Sequence, residues 1–318
     1  MKLVTLAAGG GRPGVLVDNE TVLDLGHPGR PDAARSHVPA TVRDILAAGA
    51  DGLSTVRGAV TQIGQLSSEG RAALFADGVL LRFAEAKLLP PLPSPGLLFS
   101  AGANYKAHLE EMKVAFPPRP AGFVKNTNTL IGHGESIVLP RAHPDMVDYE
   151  GEMTIVFGST CHAVREEDAL GYVAGYTIAN DVSARDWVRE FLDAKTPAAS
   201  RDGWDRNIFG KQFPTFCPLG PVVVTADEIA DPHDMSIRTT INGEVLQDSN
   251  TSDLVFNVPQ LIAYFSKWYC FRPGDMMTTG SPAGVGFARK PQRFLKAGDR
   301  VAVSVGGVGT LENPVVAG

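Results

Sequence analysis

The segment Asp148-Tyr149-Glu150-Gly151-Glu152-Met153-Thr154-Ile155-Val156-Phe157 sets two carboxylates two residues apart in an otherwise apolar run. In a strand, Glu150 and Glu152 share one face, and Tyr149, Met153, Ile155 and Phe157 take the other. Carboxylates so placed repel unless a cation lies between them or one keeps a proton. On an outer strand, water would screen that repulsion and the pair would be only a solvated face. A third carboxylate, Asp181, follows Asn180 at the end of the apolar run 172–179, where a buried strand would emerge. Three carboxylates with no Cys or His close by form a hard-oxygen set suited to Mg²⁺, Mn²⁺ or Ca²⁺, with positions left for water and substrate.

A second constellation is Asn104-Tyr105-Lys106-Ala107-His108-Leu109-Glu110-Glu111. On a helix over 104–113 capped by Asn104, His108 and Glu111 are i and i+3 neighbours, so the carboxylate can orient and charge-stabilise the imidazole. That is the layout of a general base; an ordinary exposed His–Glu pair has the same spacing. Pro117, Pro118 and Pro120 would end this helix and let it act as a lid. Cations come from Lys125, Arg185 and Lys211. Arg185 is four positions beyond Asp181, one turn of a helix expected over 183–192, and can point back at the carboxylates. For Lys125 and Lys211 the local context favours the surface. The run Thr278-Thr279-Gly280-Ser281-Pro282-Ala283-Gly284-Val285-Gly286 either presents backbone N–H groups and the Ser281 hydroxyl to a substrate carboxylate or is a plain turn. GxSxG, HExxH and GxxxxGK[ST] motifs are absent, which argues against serine hydrolase, zincin and P-loop chemistry.

The elements that must position these groups are mostly strands. The 318 residues carry 34 glycines and 23 prolines, which favours many turns over a helical bundle. Strand-like runs fall at 2–6, 15–17, 22–25, 136–139, 149–157, 172–179, 221–225, 236–241, 275–279 and 300–305, without regular βαβ alternation. Helices are expected at 41–49, with Thr41 as N-cap and Gly49 as stop, within 54–75, and at 258–268. The polar stretch 192–207 reads as a long loop. This pattern predicts an α+β, mostly β fold: a rolled or sandwich-like, largely antiparallel sheet with a few helices. The proline-rich stretch 90–96 divides a small N-terminal α+β domain, 1–90, from a catalytic domain, 91–318. A net charge of −6 argues against nucleic acid or an anionic membrane as partner. Three scattered cysteines exclude a disulfide framework. With no apolar run long enough for a signal or a span near Met1, the expectation is a soluble, cytoplasmic protein.

Taken in order, Gly102-x-Asn104-Tyr105-x-x-His108-x-x-Glu111, Glu150-x-Glu152, Asn180-Asp181-Val182-Ser183-Ala184-Arg185-Asp186, Lys211-x-Phe213 through Pro218-x-Gly220-Pro221, Gln247-Asp248-Ser249-Asn250-Thr251 and Thr279-Gly280-Ser281-Pro282-x-Gly284-Val285-Gly286 resemble the fumarylacetoacetate hydrolase family, in particular its acylpyruvate hydrolase-like members. The resemblance spans residue 96 to the end. It implies a rolled mixed β-sheet, a homodimer, and Mg²⁺ or Mn²⁺, with Ca²⁺ possible, held by Glu150, Glu152 and Asp181. It further implies His108 and Glu111 as the water-activating base, Lys211 as a catalytic cation, and Arg185, Lys125 and Ser281 as substrate contacts. Val188 stands where members that cleave fumarylacetoacetate often place Gln, and Ser281 where Thr is usual, which bears on substrate identity. The activity implied is cleavage of a C–C bond in an acylpyruvate or related β-diketo acid. The alternatives are oxaloacetate decarboxylation, 2-oxo-enoate hydration or isomerisation, and, outside catalysis, a silent metal-binding scaffold.

Overall fold

The strand Gly151–Phe157 is buried along its whole length, because its two faces meet two different cores. Met153, Ile155 and Phe157 pack with Ile237, Val303 and Val305, while Val156 on the opposite face joins Ala179, Leu219 and Met276. The alternation that predicts a strand is therefore masked by apolar side chains on both sides. In this computed structural model, which describes residues 1–31 and 37–318, the strand lies between Val173–Asn180 and Met276–Thr278, antiparallel to both. Val173–Asn180 pairs with Cys217–Thr225, and that strand with Lys2–Leu6. On the other side Met276–Thr278 runs parallel to Leu98–Gly102, which pairs with Ala121–Val124 at the edge. A five-stranded sheet, containing Ser236–Ile241, Arg300–Val305 and Gly309–Ala317, packs against this mixed twelve-stranded sheet. The result is the rolled, mixed β core expected from the sequence.

Residues preceding the prolines are built into the same sheet. Lys2 and Leu3 pair with Val224 and Val223. Helices Val42–Ala47 and Gly49–Gly64 set Ile45, Val56 and Ile63 into the core shared with Leu219 and Met276. Thr41 caps the first helix through its Oγ1, 3.1 Å from Asp44 N. Gly49, with φ of +57°, separates two helices where the sequence suggests a stop.

Three expectations near the site are corrected. The His108 helix is Lys106–Met112, and Asn104 does not cap it. The Asn104 amide instead donates to Thr279 O at 2.9 Å and accepts from Phe256 N at 2.9 Å. The helix ends at left-handed Lys113 (φ +57°), before the prolines. No helix runs over 183–192. Ser183–Ala184 pairs with Val147–Asp148, so the chain stays extended past Asp181 and turns helical only at Val188–Leu192; strand pairing overrides local propensity there. Finally, the loop expected at 192–207 is largely the helix Pro197–Phe209, capped by Thr196 and opened by Pro197. Gly203 is its one buried residue, so the helix has no apolar stripe to betray it. A Cβ at Gly203 would lie 2.7 Å from Phe191 Cα, which explains how closely the two helices pack.

Candidate metal centre and active site

Glu152 lies on the central strand, Glu150 immediately precedes it, and Asp181 leaves the end of the neighbouring strand. The register Gly151↔Asn180 and a hydrogen bond from Asp181 N to Glu150 O (2.9 Å) bring the three together. One carboxylate oxygen from each lies within 4.8 Å of the others, and all three residues are buried. The solvated-face alternative is thereby removed.

Burial on this scale requires countercharge, and the three sequence-predicted cations supply it. Lys211 Nζ donates to Glu150 Oε2 (2.6 Å), Asp181 Oδ2 (2.8 Å) and Ser183 Oγ (2.7 Å). Lys125 Nζ donates to Asp181 Oδ1 (2.5 Å) and to Lys211 O (2.6 Å). Both lysines are buried rather than on the surface. Arg185 uses Nε on Asp148 Oδ2 (2.9 Å) and its Nη2 on Glu150 Oε1. Glu152 has no such partner among the described residues; its Oε2 accepts from Gly280 N at 2.9 Å.

The electrostatics follow. Burial pushes the Glu150 carboxyl up, but Arg185 and Lys211 outweigh it and hold the group below the usual carboxylate range. Burial, then the charges of Asp181 and Glu150, push Glu152 well above that range. Burial alone would lower the Lys211 ammonium; Asp181 and Glu150 keep it raised. Four carboxyl groups, Asp148 included, face three cations, and Glu152 is the one left without a countercharge among the described residues. A buried all-oxygen set with that deficit fits a hard divalent cation: the triad is suited to chelate one.

Glu111 Oε1 accepts from His108 Nδ1 at 2.8 Å, and Gly284 N donates to both Glu111 oxygens at 3.0 and 3.1 Å. With Glu111 accepting, Nδ1 carries a proton, which leaves Nε2 as the lone-pair nitrogen of the neutral imidazole. His108, the triad, Lys211, Arg185 and Ser281 line one cavity of about 180 Å³, whose remaining walls include Val188, Phe191, Leu192 and Trp204. The Ser281 hydroxyl is already engaged by Gln247 Nε2 at 2.8 Å. Lys125 does not line the cavity; it stands behind Asp181.

Sequence reasoning assigned no role to Asp148, Gln247 or Trp204. Asp148 lies in the acidic segment and Gln247 in a motif that carried the resemblance, so both were visible without their partners. Trp204 lay in the stretch expected as loop.

Residues 98–316 match the fumarylacetoacetate (FAA) hydrolase C-terminal family, and the chain belongs to that family. It is 36% identical over 301 residues to oxaloacetate tautomerase fahd2, mitochondrial, of Xenopus laevis, an alignment covering 95% of this chain and 84% of that one. Among solved structures, maleylpyruvate hydrolase from Sphingobium sp. SYK-6, in complex with manganese (II) ion and pyruvate, superposes with a TM-score of 0.73 at 27% identity over 100% of both chains. The 5-carboxymethyl-2-hydroxymuconate delta-isomerase from Mycobacterium smegmatis is 38% identical, with a TM-score of 0.62 over 75% of this chain and 85% of that one. The cytoplasmic expectation is corrected here, because the Xenopus laevis relative is mitochondrial by name. Three free cysteines are compatible with any reducing interior and could not separate the compartments. Among the described residues no helix is long and apolar enough to cross a membrane.

Proposed function

We propose that this chain is a divalent-metal-dependent enzyme that moves a proton at the carbon beside the keto group of a small 2-oxo acid, interconverting keto and enol forms of an oxaloacetate-like substrate. The observation that carries this reading is His108, held by Glu111, lining the same cavity as the acidic triad. Similarity to an oxaloacetate tautomerase and to an isomerase favours proton transfer over the C–C hydrolysis first expected.

Glu150, Glu152 and Asp181 would hold the cation, which supplies positive charge where the oxo oxygen gains electron density. His108 Nε2 takes the proton from carbon and returns it to oxygen, and the reverse in the other direction. Glu111 steadies the imidazolium while the proton is held. Arg185 and Lys211 hold the Glu150 carboxyl below the usual range, and Lys125 and Lys211 fix Asp181 in place; Lys211 and Arg185 also border the cavity. Val188, Phe191 and Leu192 limit water at the reacting carbon.

A second reading, hydrolysis of an acylpyruvate with His108 activating water, is favoured by the apolar wall of Val188, Phe191, Leu192 and Trp204, which suits a hydrocarbon acyl group better than a second carboxylate. The test is the Mg²⁺- or Mn²⁺-loaded protein offered enol-oxaloacetate, followed by its ultraviolet absorbance, beside a panel of acylpyruvates assayed for pyruvate. Accelerated loss of enol that disappears in His108→Gln supports the first reading. Pyruvate release without enol conversion selects the second, and inactivity on both overturns the proposal. The proposal includes a homodimer, supported by the edge strand Ala121–Val124 with exposed Val124; a monomeric mass in light scattering would remove that part.

A further inference from the structure

Asp148 is fully buried yet does not border the cavity. Its carboxylate accepts from four donors. Arg185 Nε stands at 2.9 Å, Gly286 N at 2.7 Å, Phe287 N at 3.1 Å and Tyr149 N at 2.9 Å. The same arginine grips the metal-ligand candidate Glu150 with its Nη2. The same loop, through Gly284 N, holds both oxygens of Glu111 and so orients His108. Next to Asp148, the Tyr149 hydroxyl donates to the Gly284 carbonyl at 3.0 Å, gripping the loop at a second point.

Two glycines make this possible. At Gly286 a Cβ would fall 2.7 Å from Asp148 Oδ1 and collide with the Arg293 carbonyl. Gly284 has a φ of +99°, and a Cβ there would strike the Leu246 carbonyl. The loop therefore approaches Asp148 and Glu111 as bare backbone, and planar peptide units pass a displacement at one contact to the other.

We propose that Asp148 and Tyr149 clasp the loop 284–287 and thereby set the position of the His108 imidazole relative to Glu150. Asp148 and Tyr149 are thus positioning residues for the reaction at this site. The inference rests on the reading of His108 as the base. Asp148 reaches the ligand side through Arg185 and the base side through the loop, the only described element hydrogen-bonded to both Asp148 and Glu111. An error near 1 Å between base and reacting atom can lower turnover by ~10²-fold, so the clasp acts on kcat more than on substrate binding.

The test uses the full-length protein. Tyr149→Phe removes one hydroxyl and keeps the ring. Asp148→Asn keeps the shape but turns an N–H toward Arg185 or the loop donors. The His108 Nδ1 proton, assigned in the NMR spectrum by its loss in His108→Gln, reports the bond to Glu111 whatever the substrate proves to be. Expected are a shifted or broadened Nδ1 resonance in both variants, a kcat lowered by ~10-fold or more with KM little changed, and weaker Mn²⁺ binding for Asp148→Asn alone. In a Glu111→Ala background, where the loop has nothing left to hold on the base side, Tyr149→Phe should lower kcat no further. An unchanged Nδ1 resonance in both variants, or equal kcat losses for Tyr149→Phe in the two backgrounds, would overturn the clasp. Absence of turnover in the wild-type protein overturns the functional reading instead, and the resonance still decides the clasp.

Discussion

Lys211 Nζ bridges Glu150 and Asp181, 2.6 Å from one carboxylate and 2.8 Å from the other, while Glu152 has no cation partner among the described residues. The three acids of the triad are therefore unequal. Two are bound into a buried ionic lattice with Lys125, Lys211 and Arg185. The third is the group whose charge a metal ion would complete.

Removing these acids should have opposite effects on the metal-free fold. Glu150→Ala or Asp181→Ala strands buried cations and should destabilise the protein by about 3–5 kcal/mol. Glu152→Gln removes an uncompensated carboxylate and should leave the unfolding midpoint in EDTA unchanged or higher. All three should lose most Mn²⁺ affinity. Urea unfolding and metal titration of the same preparations check this, and equal destabilisation by all three would contradict the charge assignment.

Metal binding should release a proton. Burial, Asp181 and Glu150 raise the Glu152 carboxyl in the metal-free site, so below that raised value the cation must displace a proton to bind. Mn²⁺ affinity should then rise with pH and level off once Glu152 is already ionised. Calorimetry in two buffers of different ionisation enthalpy measures the released proton directly, and Glu152→Gln should abolish the release.

Base and ligand functions should separate in mutants. His108→Gln should lower kcat by ~10² to 10⁴ with Mn²⁺ affinity little changed. Glu111→Gln should fall in the same direction by less, because an amide still orients the ring without stabilising its charge. A His108→Gln loss of metal affinity equal to that of Asp181→Ala would make His108 a ligand.

The helix Lys106–Met112 should close over bound ligand. It buries only Leu109, and Val114 and Phe116 just beyond it are 41% and 51% exposed. Hydrogen exchange across 106–116, and across the sparsely buried helix Pro197–Phe209, should slow on adding Mg²⁺ with oxalate. Equal protection with and without them would remove the lid.

Local patterns carried much of this site into view. Glu150 and Glu152 are an i, i+2 pair in a strand, and His108 and Glu111 an i, i+3 pair on a helix; both relations depend only on backbone geometry, which short sequence determines. The β-rich roll was legible for the same reason, from apolar runs punctuated by glycine and proline. The fates of Lys125 and Lys211 were not legible. They meet Asp181 across 56 and 30 residues, and an ion pair between distant positions leaves no periodicity in either neighbourhood. Arg185 reaches Glu150 because strand pairing replaced the helix expected there, and Asn104 ties two distant segments instead of capping its own helix. Sequence thus determined which groups could do chemistry, while tertiary packing decided which were charged, paired or exposed. Desolvation and long-range pairing exist only after the chain has closed on itself.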